Sequence, residues 1–242
     1  MPEWLSTFID DFKFVFIEKD RYMYLVKGIG TTLYVTFVAT LIGFALGVIL
    51  AIVRSTHDKI ARDMRPGIGK FFLKFFNFIA NIYLTVIRGT PVMVQIMIAY
   101  FVIFASSNNK VLVAILSFGI NSGAYVAEII RSGIMSIDNG QFEAGRSLGF
   151  NYPSTMIHII LPQAFKNVLP ALANEFIVLL KETSISIYVG LQELTSSYQI
   201  IQSQTYMVFM PLIAIALVYL VVVVFFSKLI SILERRLRKN ER

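Results

Sequence analysis

GIGTTLYVTFVATLIGFALGVILAIV, residues 28–53, is a run of 26 residues without a single charge. At 1.5 Å per residue, a helix of that length covers a hydrocarbon core of about 30 Å. The core of a signal peptide is the other reading of such a run. Glu3, Asp10, Asp11, Glu18 and Asp20 precede it, however, and no small-residue cleavage site separates it from Arg54, so a membrane span is favoured.

Further apolar runs follow. Residues 71–105 stay predominantly apolar for 35 positions, which as one straight helix would reach about 52 Å. The tetrapeptide Arg88-Gly89-Thr90-Pro91 is the natural break, because proline removes a backbone donor and disfavours helical geometry in the residue before it. Residues 71–87 would then run partly along the membrane interface before the second span crosses. Residues 111–137, 168–189 and 207–226 give three more spans, so the expected fold is an all-α membrane protein with five transmembrane helices. Gly43 and Gly47, like Gly119 and Gly123, stand four apart. That spacing permits close helix contact, although small residues are also simply common in membrane helices.

Composition agrees with burial in lipid. Of the chain's 242 residues, 56% are hydrophobic, more apolar surface than a soluble domain of this length hides. The net charge of +7 forms no single patch suited to nucleic acid; the basic residues fall in blocks between the apolar runs. Cysteine is absent, and His57 and His158 lie far apart in sequence, which leaves no recognisable metal site.

Lysine and arginine placement orients the spans. Arg54, Lys59, Arg62, Arg65, Lys70 and Lys74 follow the first span, and Lys228, Arg235, Arg236, Arg238, Lys239 and Arg242 follow the fifth. Both blocks are expected in the cytoplasm. The connections 106–110 and 190–206 hold one basic residue between them and are expected outside. The amino terminus is then outside and the carboxyl terminus inside. The chain divides into an extracytoplasmic or interfacial segment (1–27), a transmembrane domain (28–234) with a cytoplasmic loop at 138–166, and a basic tail (235–242).

That loop contains Gly140-Gln141-Phe142-Glu143-Ala144-Gly145-Arg146-Ser147-Leu148-Gly149 and, nine residues later, Ile159-Ile160-Leu161-Pro162. Residues 141–148 suit two helical turns, Gly149 a left-handed stop, and Asn151-Tyr152-Pro153 the start of a second short helix, which together make an elbow. Gly149 stands six residues after Glu143, and Ile159, Leu161 and Pro162 stand ten, twelve and thirteen beyond Gly149. In this register the segment resembles the EAA loop of ABC importer permeases.

The resemblance implies the type I permease fold and an elbow that docks in a groove on a separate ATPase. Phe142 and Leu148 would then be apolar anchors, Glu143 a charged contact, Gly145 and Gly149 points of close approach, and Ala144, Leu161 and Pro162 part of the same device. The family usually has Ala where Gly145 stands, a departure expected to cost the helix roughly 0.5–1 kcal/mol. Gly30-Thr31-Thr32-Leu33, Arg88-Gly89-Thr90-Pro91, Gly123-Ala124-Tyr125 and Lys181-Glu182-Thr183-Ser184 are similar to the branch for polar amino acids (the glutamine/glutamate, basic or cystine class).

A zwitterionic substrate needs both charges matched inside the bilayer, where ionisable residues are scarce and functional. Arg88 is the candidate for the carboxylate, Glu128 or Glu175 for the ammonium, and Thr90, Gln95, Asn121, Asn174 and Ser184 for neutral hydrogen bonds. Pairing of Glu128 with Arg131, three residues away, is the structural alternative.

No Gly-x-x-x-x-Gly-Lys-Ser/Thr phosphate loop occurs in the chain, so ATP and Mg²⁺ are expected on the partner ATPase and no cofactor in this chain. The resemblance implies two ATPase copies, a second permease subunit that is identical or paralogous, an extracytoplasmic amino-acid-binding protein, and a place in the bacterial cytoplasmic membrane. His-Glu-x-x-His and Gly-x-Ser-x-Gly are absent, which argues against an intramembrane enzyme. A secondary carrier or channel acting without an ATPase is the stronger rival.

Overall fold

The computed structural model describes residues 3–61 and 64–239; Arg62 and Arg242 of the two basic blocks lie outside the described residues. The helices are α1 (Glu3–Phe12), α2 (Tyr22–Ile60), α3 (Ile68–Gly89), α4 (Val92–Ile98), α5 (Lys110–Met135), α6 (Asn139–Ser147), α7 (Tyr152–Thr155), α8 (Leu161–Glu182), α9 (Leu194–Thr205) and α10 (Phe209–Lys239). Among the described residues, five helical segments are long and apolar enough to cross a membrane: Tyr22–Ile60, Ile68–Gly89, Lys110–Met135, Tyr152–Val189 and Phe209–Arg236.

The first expected span proves to be the middle of a longer helix. At 39 residues, α2 extends for about 58 Å and passes both edges of a bilayer core. It packs beside α5 with its small residues facing those of its neighbour. A Cβ on Gly43 would stand 3.0 Å from Ser122 Cβ, one on Gly119 2.8 Å from Ile42 Cγ2, and one on Gly123 3.1 Å from Leu46 Cβ. The four-residue glycine spacing therefore serves contact: these positions carry no side chain because the neighbouring helix occupies the space. In lipid, that close approach supplies the van der Waals packing which a hydrophobic effect does not provide.

The chain breaks where expected. Thr90 is extended (φ −122°, ψ 145°), Pro91 follows at ψ 136°, and α4 starts at Val92. α3 meets α5 at two levels: the Tyr83 hydroxyl donates to the Ile120 carbonyl, and Arg88 reaches Glu128, further toward the end of α5. After the break, α4 packs on α5 nearer its start: Gln95 meets Asn121, and Ile96 joins Val35, Ala39, Ala114, Ile115 and Phe118 in the core.

The amino-terminal segment packs on the helices. Val15 and Phe16 are buried against Ile201 of α9. Buried Arg21 donates to the Phe14 carbonyl and, from Nε at 3.1 Å, to Gln204 Oε1. α2 begins at Tyr22, six residues ahead of the uncharged run.

Candidate functional site

The break between α3 and α4 leaves carbonyls without helical partners, and Gln95 collects them. Its Nε2 lies 2.7 Å from the Ile87 carbonyl, 3.0 Å from the Thr90 carbonyl and 2.7 Å from Thr90 Oγ1. Thr90 Oγ1 in turn donates to the Val86 carbonyl at 2.8 Å, and buried Asn121 on α5 donates to Gln95 Oε1 at 2.9 Å. Thr90, Gln95 and Asn121 come together, with their polar groups directed at one another and at the broken backbone. Satisfying that backbone is a condition for irregular chain inside a membrane.

Arg88, the last charged residue of α3, stands 3.4 Å from Glu128 Oε2 with 43% of its side chain exposed. Arg131 holds the other carboxylate oxygen through Nε at 3.1 Å and Nη2 at 2.6 Å, and its Nη1 reaches Asp58 Oδ2 at 3.1 Å. The pairing of Glu128 with Arg131 is therefore present, and it is part of a chain Arg88–Glu128–Arg131–Asp58 that links α3, α5 and α2. Asp58 was not anticipated. An acid inside an otherwise basic stretch is the signal that would have drawn attention to it.

Glu175 is separate from this network: the buried Ser122 hydroxyl donates to its Oε1 at 3.0 Å. Asn174 is exposed beside it, with no hydrogen bond among the described residues. Ser184, in the 3-10 turn that follows α8, donates back to the Lys181 carbonyl at 2.7 Å. The predicted substrate residues thus fall into a stitched break, a charge chain and a set along α8.

The elbow is built by local signals. Asp138 caps α6 by accepting from the Gly140 amide at 2.6 Å, Gly149 ends it with φ +84°, and Asn151 caps α7 by accepting from the Ser154 amide at 3.0 Å. Glu143 and Ala144 are exposed, and Leu148 is 73% exposed. Phe142 is half-buried. It stacks on Tyr152 with centroids 6.3 Å apart and lies under the Lys59 ammonium at 4.6 Å, so it holds the elbow to α2. The outward apolar residues that accompany Leu148 are Phe150 and Ile157, 40% and 58% exposed.

Leu161 and Pro162 open α8, with Leu161 partly buried against the core at the elbow base and Pro162 exposed. Gly145 is buried against Thr155: a Cβ there would meet Thr155 Cγ2 at 2.6 Å and Oγ1 at 2.7 Å. The absent methyl group is what allows the two arms to close, so the glycine tightens the elbow, contrary to the loosening its helix propensity suggested.

Glu193 carries a role the sequence did not disclose. It caps α9 by accepting from the Thr195 and Ser196 amides, each at 2.8 Å, while its own amide donates to Ser196 Oγ at 2.8 Å. Tyr219 of α10 donates to its Oε2 at 3.2 Å, and the Leu194 amide donates to Thr32 Oγ1 of α2 at 3.2 Å. Burial pushes the Glu193 carboxyl above the usual carboxylate range, and its backbone hydrogen bonds oppose that shift.

Comparison with known proteins places this geometry. Residues 67–239 match the model of the binding-protein-dependent transport system inner membrane component family. The arginine transport system permease protein ArtQ of Bacillus subtilis is 35% identical over 221 residues, covering 90% of this chain and 94% of that protein. The glutamine transport system permease protein GlnP of Escherichia coli is 33% identical over 218 residues, covering 88% and 93%. A crystal structure described as an amino acid ABC transporter with histidines superposes with a TM-score of 0.79 at 41% identity, covering 91% of this chain and 98% of that one. An inward-facing methionine transporter, MetNI, shares the fold at a TM-score of 0.72 and 19% identity. The chain therefore belongs to the binding-protein-dependent transport system inner membrane components, the multi-pass permease subunits of ABC transporters.

Proposed function

We propose that this chain is one of two permease subunits that carry a polar amino acid inward by alternating access, driven by a separate ATPase. The observation that carries the reading is the elbow: α6 and its C-cap present Glu143, Ala144 and Leu148 outward, while Phe142 ties α6 to Lys59 of α2 and Gly145 lets it close on Thr155 of α7. A rigid lever of this kind transmits movement. The basic blocks beside the same end of the bundle favour a cytoplasmic elbow, an outside amino terminus and an inside carboxyl terminus.

ATP binding would close two ATPase copies, the elbows would follow, and the spans would open outward to a ligand delivered by an extracytoplasmic binding protein. ATP and Mg²⁺ belong to the ATPase in this scheme. The names of the relatives favour an amino acid of the glutamine or arginine kind. Arg88 and Glu128 are an exchangeable pair for a carboxylate and an ammonium, with Glu175, Asn174 and Ser184 as further contacts. Thr90, Gln95 and Asn121 act by positioning Arg88 at the end of α3.

Glu143→Arg tests the lever. ATP hydrolysis should persist without matching uptake, and the helical circular dichroism should be unchanged. Uptake at the unaltered rate would remove Glu143 from the docking surface.

A further inference from the structure

At the junction of α2 and α3, His57, Asp58, Ala61, Lys70 and Lys74 surround an open recess of about 550 Å³. Lys70 and Lys74 are four residues apart on one helix face, where like charges repel. Neither has a carboxylate partner among the described residues; Lys70 donates to the Met64 carbonyl at 2.8 Å. Asp58, the acid in the lining, is held by Arg131 at 3.1 Å. Among the described residues, the recess therefore offers two ammonium groups without a carboxylate partner.

Immediately beside it, α3 turns out a dense apolar face. Ile68, Phe71, Phe72, Phe75, Phe76 and Phe78 are between 46% and 78% exposed. Phe71 stacks on Phe75 and Phe72 on Phe76, with centroids 6.4 and 6.3 Å apart, so the rings form a continuous surface. On a helix long and apolar enough to cross a membrane, an outward phenylalanine face is the surface that acyl chains cover.

We propose that the recess and this face together seat one anionic phospholipid, its phosphate between Lys70 and Lys74 and its acyl chains along the phenylalanines. Basic pockets between membrane helices suit such headgroups, and the long lysine stems can follow the apolar surface to reach them. A second copy of the chain seated here about a two-fold axis would need a carboxylate of its own opposite the lysines to match them. A free phosphate would use the recess and leave the aromatic face uncovered.

The test uses the permease with its ATPase in nanodiscs of neutral lipid, titrated with phosphatidylglycerol and read by native mass spectrometry. Lys70→Gln with Lys74→Gln should weaken phosphatidylglycerol binding roughly tenfold or more. Lys70→Arg with Lys74→Arg should retain it, Phe71→Ser with Phe75→Ser should weaken it, and Lys228→Gln on α10 should leave it unchanged. Gel filtration of each complex confirms assembly, and the lipid count needs no transport. Undiminished binding in the double glutamine variant would overturn the proposal. So would full competition by inorganic phosphate, or a disulfide between two permease copies each carrying Lys74→Cys.

Discussion

Gly145 and Thr155 share one space: a Cβ on the first would lie 2.6 Å from Cγ2 of the second. The two arms of the elbow touch at that point, and a β-branched residue on one arm requires a bare backbone on the other. Gly145→Ala should gain helix propensity yet destabilise the elbow by about 1–3 kcal/mol through overpacking. Thr155→Ala in the same chain should recover most of that loss. Thermal melting of the two single variants and the double variant gives the coupling directly.

Gln95→Leu keeps the bulk and removes the stitching of the helix break. The freed Ile87 and Thr90 carbonyls and the Asn121 amide lose their partner, a loss of about 1–3 kcal/mol. Adding Asn121→Leu should cost less than its own single change, because the two side chains act as a unit. Melting in detergent checks both statements.

Arg88→Ala should lower uptake about tenfold or more, since it removes the cation proposed to meet the substrate carboxylate. The complex with the ATPase should still assemble and hydrolyse ATP. Uptake assays with parallel gel filtration separate the two effects; normal uptake would exclude Arg88 from the substrate path.

Glu193 predicts a pH dependence at the opposite end of the bundle. Its folded carboxyl titrates above its unfolded value, so its contribution to stability is fully present below the unfolded value and is lost as pH rises through the folded one. The melting temperature should fall as pH rises from about 4.3, the ordinary carboxylate value, through the raised value. Glu193→Gln should flatten that slope, which a pH series of melting curves would show.

What could be read from the sequence was mostly local. The helix break, the elbow and the left-handed Gly149 are written in neighbouring residues such as Pro91, Asp138 and Asn151, because caps and turns are decided within a few positions. Relations across the fold were not legible in the same way. The reason for Gly145 lies at Thr155, and the partner of Arg88 lies forty positions away at Glu128. Phe142 carried no mark telling whether it faced the solvent or Lys59. Glu193 escaped notice because glutamate is not among the preferred N-caps, and its burial depends on Tyr219 and Thr32 from distant helices.

The most direct test is the initial rate of labelled glutamine and arginine uptake into proteoliposomes supplied with the binding protein, measured with and without the ATPase subunit. The account predicts uptake of at least one of the two only when the ATPase and ATP are both present, together with amino-acid-stimulated hydrolysis. Uptake by the permease chain alone would contradict it and establish a carrier or channel instead.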